Sequence, residues 1–531
     1  MTMVPVHRVD VDVAIVGSGF SGSILALILR RHGLRVALID RTHHPRFAIG
    51  ESSTPLAGLL IEELADRHDL PRLRPFSKWG TWQATYPDVL RGRKRGFSFF
   101  QQEEGGTFAD DGSHARSLLV AASPNAAIAD THWYRPHFDA WLAREAADAG
   151  AVVLDDTTLD APLLTATGSV IEGARGGARV RIDCRFVVDA SGPRGYLWRA
   201  LGLGDAPLDH LPPTQALYAH LADVQRWEDV WQAETQPPYP VDEAALHHVL
   251  PGAWMWVLRF DNGLTSAGLA ATDAFASRYA FGDREAAWQR VLTDFPSLQA
   301  QFGGARPTVQ FVHATRVAHR TARVTGPGWA LLPSAAGVID PLLSTGFPLT
   351  LLGIGRLADA LLTRDHDRRD AALARYADET VAELDATERL VAAMYGAMTD
   401  FPLFKRLGLL YFAAASYAET VRRLGAPERA RGFLLHADPV FGPALRSLTT
   451  RAASRPPGPA RVQLLEDIAT AIAPFDVAGL GDESRRDWYP VRADDLHAAR
   501  ERLGVSAAAI DALLERCGFT EAATTAAGAH R

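Results

Sequence analysis

The chain is 531 residues long and contains only two cysteines, Cys184 and Cys517. Two thiols this far apart can build neither a disulfide framework nor a thiolate metal site. Such sparse cysteine usage predicts a reducing compartment and a cytoplasmic protein. The N-terminus, "MTMVPVHRVDVDVAIVG", lacks the charged-then-apolar pattern of a signal peptide. The most apolar long stretch, 328–354, is broken by Asp340, prolines and several glycines, which predicts a buried run and no membrane span. A net charge of −7 and the absence of a dense basic stripe argue against a nucleic-acid partner. The single basic cluster, "RGRKRG" (91–96), reads as a solvated loop. Histidines 43, 44, 132, 137, 247, 248 and 313 are scattered and form no H-x-x-x-H pair with a carboxylate, so no metal site is expected. No internal repeat is present.

What the chain does have is ordinary globular composition, 47% apolar and 22% charged, at a length that calls for two or three domains. Residues 11–16 are a β-branched run that stops at Gly17. "SILALILRRHG" then carries helical periodicity, and "RVALI" (35–39) is a second strand ending at Asp40. Strand, glycine turn, helix, strand is one βαβ unit at the start of a parallel sheet. A further helix and strand are expected over 135–154, with Gly150 at the helix end. The middle reads as mixed or antiparallel sheet: 214–224, 253–260 and 266–272, with "DNGLT" as the turn between the last two. From about 366 the pattern is helical. It is interrupted by a linker at "RPPGP" (455–459), and "TEAATTAAGAHR" reads as a frayed tail.

"VAIVGSGFSG" supplies Gly17, Gly19 and Gly22 as G-x-G-x-x-G, with Phe20 and Ser21 inside the turn. Those glycines allow a tight turn, close approach of a pyrophosphate and packing of helix on strand. The phosphate would sit at the helix N-terminus, where free amides and the dipole favour an anion. Asp40, at the end of the second strand, can accept hydrogen bonds from a ribose. NAD and FAD share this fingerprint, so the cofactor must be chosen on other residues.

"FVVDASGPRGYLW" (186–198) closes a strand on Asp189. "GWALLPSAAGVIDPLLSTGF" (328–347) runs from a strand through a turn into a helix near Phe347. Together these resemble the flavin monooxygenase superfamily, and within it the flavin-dependent halogenases, over roughly 11–420. "HHPRFAIGESSTP" resembles that family's R-F-x-I-G-E-S segment, here Arg46, Glu51 and Ser52. "DTHWYRPHFDAWL" resembles the segment whose arginine, here Arg135, lies along the cofactor. "DPLLSTG" (340–346) resembles the D-P-x-x-S-T/S-G loop, a run of backbone amides ahead of a helix that can hold an anion. The resemblance implies halide on the amides of Thr345 and Gly346, with Asp340 and Phe347 near the flavin. "AWMWVLR" resembles W-x-W-x-I-P, with Trp254 and Trp256 on one face of a strand and Arg259 in place of the proline. An aspartate that many flavoproteins set on the ribitol is absent at Pro333-Ser334-Ala335. The glutamate of tryptophan halogenases is replaced by Leu343, which favours a phenol, pyrrole or other electron-rich acceptor, free or carrier-tethered.

Within "PFSKWGTWQ" (75–83), Lys78 follows the G-E-S segment by a short helix and resembles the family's lysine in its K-x-G-x-x-F context. The resemblance implies that FADH2, oxygen and chloride or bromide give hypohalous acid, which Lys78 relays to the acceptor. An apolar setting would lower the pKa of such an amine and favour its neutral form. With no second glycine fingerprint for NAD(P)H, a separate flavin reductase is the implied partner. The expected fold class is α/β. An FAD-binding Rossmann-like parallel sheet domain (9–60, 130–205 and 310–365) joins a mixed-sheet substrate domain (61–129 and 206–309) and a helical C-terminal region (366–531). Two other functions fit the same residues: a monooxygenase or reductase on this fold, favoured by Arg259, and a non-catalytic binding scaffold.

Overall fold

A computed structural model describes residues 6–165 and 167–519; the tail expected at 520–531 lies outside them. The first βαβ unit forms as its pattern predicts. Strand Val13–Val16, helix Phe20–Arg31 and strand Val36–Ile39 are followed by helix Arg135–Asp148 and strand Val152–Leu154. These strands sit in a six-stranded sheet beside Phe186–Asp189 and Trp329–Leu331, all paired in parallel. A short antiparallel edge, Thr325–Gly326, completes it. All four residues of Val13–Val16 and of Val36–Ile39 are buried, as expected for parallel strands covered on both faces. Helix Phe20–Arg31 is buried from Phe20 to Leu29, so it lies inside the molecule instead of presenting a polar face.

The second large sheet has nine strands and is mixed. Thr214–Ala222, Thr265–Thr272, Ala253–Arg259 and Ala245–Leu250 run antiparallel in that order, and Ala245–Leu250 then pairs in parallel with Gly96–Gln101. Period 2 divides its side chains between two cores. Phe97, Phe99, Trp254 and Trp256 join the core shared with the parallel sheet and the C-terminal helices. Phe100, Met255 and Val257 join a separate core under the helices of 285–302. A smaller five-stranded sheet is built from Val6–Asp10 and the hairpins of 157–184, elements the sequence reading did not assign.

Helices end the chain as expected. His366–Gly396 is capped by Asp365, which accepts from the Arg368 amide, and Phe401–Arg423 by Asp400, which accepts from the Leu403 amide. The 455–459 linker is a short turn between helices Phe441–Ala453 and Gly458–Ile472, which pack on the same core. No helix among the described residues is long and apolar enough to cross a membrane. One expectation fails outright. "RGRKRG" is not a solvated loop: Arg91–Lys94 is a strand, antiparallel to Asp130–Trp133, and Lys94 is fully buried.

Candidate active site

The glycine turn divides its labour. A Cβ on Gly17 would fall 2.4 Å from the Ala190 carbonyl oxygen, and one on Gly22 2.0 Å from that of Gly17, so these two glycines permit the turn and the helix packing. A Cβ on Gly19 meets only the Arg135 and Arg46 guanidiniums and the Asp139 carboxylate, at 3.5–3.9 Å. That gap, bordered by two arginines, is where an anion fits, and the Arg46 Nε is buried with no partner among the described residues. Arg135 itself is held by Asp139 (2.7 and 2.8 Å) and donates to the carbonyls of Ile49 and Gly50, which fixes the 43–55 segment against the turn. The donor set suits the pyrophosphate of a dinucleotide.

Asp40 accepts from the amide and hydroxyl of Ser18 (both 2.9 Å), from Thr42 and from Arg46. Burial pushes its carboxyl up, and these donors outweigh the push and hold it below its ordinary value. Asp189 is consumed by the turn after its strand, accepting from Ser191 and from the Leu197 amide, so it organises the backbone there. Glu51 is buried and its Oε1 accepts from the His220 Nε2 at 2.8 Å, leaving its Oε2 with no partner among the described residues. Phe20 and Phe347 pack edge to face (5.1 Å), with Trp133 stacked on Phe347 at 4.0 Å.

The 340–346 loop is a tight structure. Leu343 and Ser344 both take left-handed backbone (φ 66° and 55°), a conformation that non-glycine residues adopt at a cost of about 1–3 kcal/mol each. Helix Gly346–Leu362 starts directly after it, and a Cβ on Gly346 would meet nothing within 4 Å. Open space therefore lies beside Gly346, at the start of that helix. Asp340 secures the loop from behind. Its carboxylate accepts from the Leu342 amide (2.9 Å), the Trp254 indole (3.2 Å) and the Tyr395 hydroxyl (2.8 Å). Burial pushes that carboxyl up to about 7, despite those donors. Trp256 lies beside Trp254 at 5.7 Å. Arg259 points elsewhere, clamped by Asp242 at 2.7 Å and donating to the carbonyls of Val224 and Gln225.

Lys78 does not sit in an aromatic cage. Phe76 and Trp82 are fully buried against each other and Phe138, Trp79 lies under the Arg93 guanidinium, and the Lys78 amine faces Glu62 at 3.8 Å. Its side chain is one-fifth exposed. Of the chain's three lysines, Lys78, Lys94 and Lys405, it is Lys94 that enters the loop region. The Lys94 Nζ donates to the Ser52 hydroxyl (2.9 Å), the Ser53 carbonyl and the Ser344 hydroxyl (3.3 Å), and lies 3.8 Å over the Phe97 ring. It thus ties the G-E-S segment to the 340–346 loop. Burial drives its pKa down to about 7, against the opposing pull of Asp130. Around it Phe97, Phe99, His247 and Trp254 on the sheet face Phe404, Tyr411 and Phe412 on helix Phe401–Arg423. His132 and His247 are buried, and burial drives both down to about 3, so each is neutral.

The K-x-G-x-x-F context in which the sequence analysis set Lys78 is also present at Lys94. Lys94-Arg95-Gly96-Phe97-Ser98-Phe99 fits K-x-G-x-x-F through the last position, whereas the stretch from Lys78 ends on Gln83. The run of neighbouring arginines made a solvated reading attractive.

The profile of the FAD dependent oxidoreductase family matches residues 12–339. The chain is 30% identical over 438 residues to tetracycline 7-halogenase of Kitasatospora aureofaciens, covering 79% of this chain and 76% of that protein. It is 30% identical over 401 residues to monodechloroaminopyrrolnitrin halogenase PrnC of Pseudomonas fluorescens, covering 74% and 69%. In fold it is similar to halogenase PltM, solved with phloroglucinol and FAD, with a TM-score of 0.77 at 22% identity over 90% of this chain and 99% of that one. The chain belongs to the FAD-dependent oxidoreductases and, within them, to the flavin-dependent halogenases.

Proposed function

We propose that this halogenase uses reduced FAD, supplied by a separate flavin reductase, with oxygen and chloride or bromide, to halogenate an electron-rich aromatic such as a phenol or pyrrole. FAD would supply the oxygen-activating chemistry that turns halide into hypohalous acid. The glycine turn, Arg46 and Arg135 would hold its pyrophosphate, and the amides of Thr345 and Gly346 would hold the halide. Lys94, rather than Lys78, would receive the hypohalous acid and orient it toward the acceptor. The observation that carries this reading is the Lys94 amine, buried against aromatic side chains and bonded to Ser344 of the 340–346 loop. A dry, enclosed passage keeps such an oxidant from solvent. The buried carboxyl of Asp340 is engaged by three donors, which suits a support for the loop and leaves it no hydrogen-bonding role toward an acceptor.

The test is turnover with FAD, a flavin reductase, NADH and bromide over a panel of phenols, pyrroles and indoles, with products read by mass spectrometry. Brominated product that disappears in Lys94→Met supports the reading. Hydroxylated or reduced products without halogen would replace it with a monooxygenase or reductase. Arg259, which favoured that alternative in sequence, is spent on Asp242 and gives it no structural support.

A further inference from the structure

Strands Arg91–Lys94 and Asp130–Trp133 place Lys94 directly opposite Asp130. Directly opposed residues of an antiparallel pair project to the same face, with Cβ atoms about 5 Å apart. Asp130 is 6% exposed, and its Oδ2 is buried with no hydrogen-bond partner among the described residues. A buried carboxyl normally finds donors, and Asp40, Asp189 and Asp340 in this molecule all do. The 340–346 loop itself offers no free carboxyl, because its only acidic residue, Asp340, is fully engaged.

We propose that Asp130 is the proton acceptor that works with Lys94 in halogen transfer, a role that rests on the halogenase reading of Lys94. In the step HO–X + Ar–H → Ar–X + H2O, an electron pair of the ring forms the C–X bond as the O–X bond breaks. The departing oxygen takes a proton from the Lys94 ammonium and leaves as water. The proton on the substituted ring carbon passes to the Asp130 carboxylate. Lys94 and Asp130 make no direct hydrogen bond, so the water released in the step relays that proton from Asp130 back to the Lys94 amine, and no charge has to enter or leave the pocket. Burial pushes the Asp130 carboxyl up and the Lys94 amine down, which brings the two groups toward each other and makes proton exchange between them easier. Facing Asp130 are Lys94 on its strand partner, Glu419 and Arg423 on helix Phe401–Arg423, and Lys78, while the neutral His132 and His247 face Lys94.

Phenol and ring-deuterated phenol, with bromide as halide and monochlorodimedone to score released oxidant, are the probes. In Asp130→Asn, product per oxidant formed should fall by about a hundredfold or more. A primary isotope effect absent from the wild type should appear, because ring C–H cleavage has lost its base. Asp130→Glu should recover part of the rate. Independently of turnover, urea unfolding of the protein without flavin, from about pH 5 to about pH 10, should show non-additive effects of Lys94→Met and Asp130→Asn. Wild-type product yield without an isotope effect in Asp130→Asn, or additive unfolding effects, would overturn the proposal. Wild-type halogenation in Lys94→Met would instead overturn the reading on which it rests.

Discussion

What a lysine can do depends on where its amine is held. Lys78 faces Glu62 at the rim, and its aromatic neighbours pack among themselves without it. Among the described residues Lys94 has no carboxylate in hydrogen-bond contact; its partners are serine hydroxyls and a carbonyl, and its side chain is fully buried. Replacing Lys94 by Met keeps most of the stem's volume and removes charge and donors. Brominated product should then fall by about two orders of magnitude, about 2.7 kcal/mol in the barrier. Lys78→Met, measured beside it, should retain most of the wild-type rate, because only a partly exposed ion pair is lost. Equal losses in the two variants would remove the distinction drawn between them.

The 340–346 loop works as a unit with the strand and helix that brace it. Its left-handed residues, Leu343 and Ser344, persist because Asp340 is fastened to Trp254 on one side and Tyr395 on the other. Gly346→Val would fill the open space at the start of the helix. Halogenation should drop by about tenfold or more while oxidation of reduced flavin by oxygen continues, as stopped-flow absorbance would record. A second expectation concerns pH. Asp340 is raised in the folded state to about 7, so its contribution to stability is full below the ordinary carboxylate range. That contribution is lost as pH rises from about 4 through about 7. Urea titrations across that window should therefore show a shallower decline for Asp340→Asn than for the wild type. An unchanged decline would mean that other groups set the slope.

At the scale of the whole molecule, the parallel sheet and the mixed sheet share one continuous core, so flavin held at the glycine turn, as proposed, would stabilise both. Free FAD at about one hundred times its dissociation constant should raise unfolding stability by about 2.7 kcal/mol. Gly19→Ala adds a methyl in the gap before Arg46 and Arg135. It should weaken FAD by about tenfold, removing about 1.4 kcal/mol of that gain at the same FAD concentration. Thermal shift with and without FAD reads both numbers. A Gly19→Ala protein stabilised as fully as the wild type would place the pyrophosphate elsewhere.

The βαβ unit, the glycine turn, the 340–346 loop and the alternation of Trp254 and Trp256 were all legible in the sequence. Each is written in the chemistry of a few consecutive residues: a turn that only glycine allows, a helix start, a side-chain period of two. The position of Lys94 was not legible in that way. "RGRKRG" carries the composition of a solvated loop, and its burial depends on partners far along the chain: strand Asp130–Trp133 across from it, Ser344 some 250 residues away, and helix Phe401–Arg423 packed on the aromatic side chains around it. Lys78 had the opposite fate. It stands among aromatics in sequence, but a 3-10 turn (Arg74–Ser77) and a short helix (Trp79–Thr85) carry Phe76 and Trp82 into the core and leave its amine at Glu62. Local patterns determine which elements form and which turns can cradle an anion. Only the tertiary fold, by choosing which amine is stripped of water and which carboxyl stands opposite it, decided where the chemistry can occur.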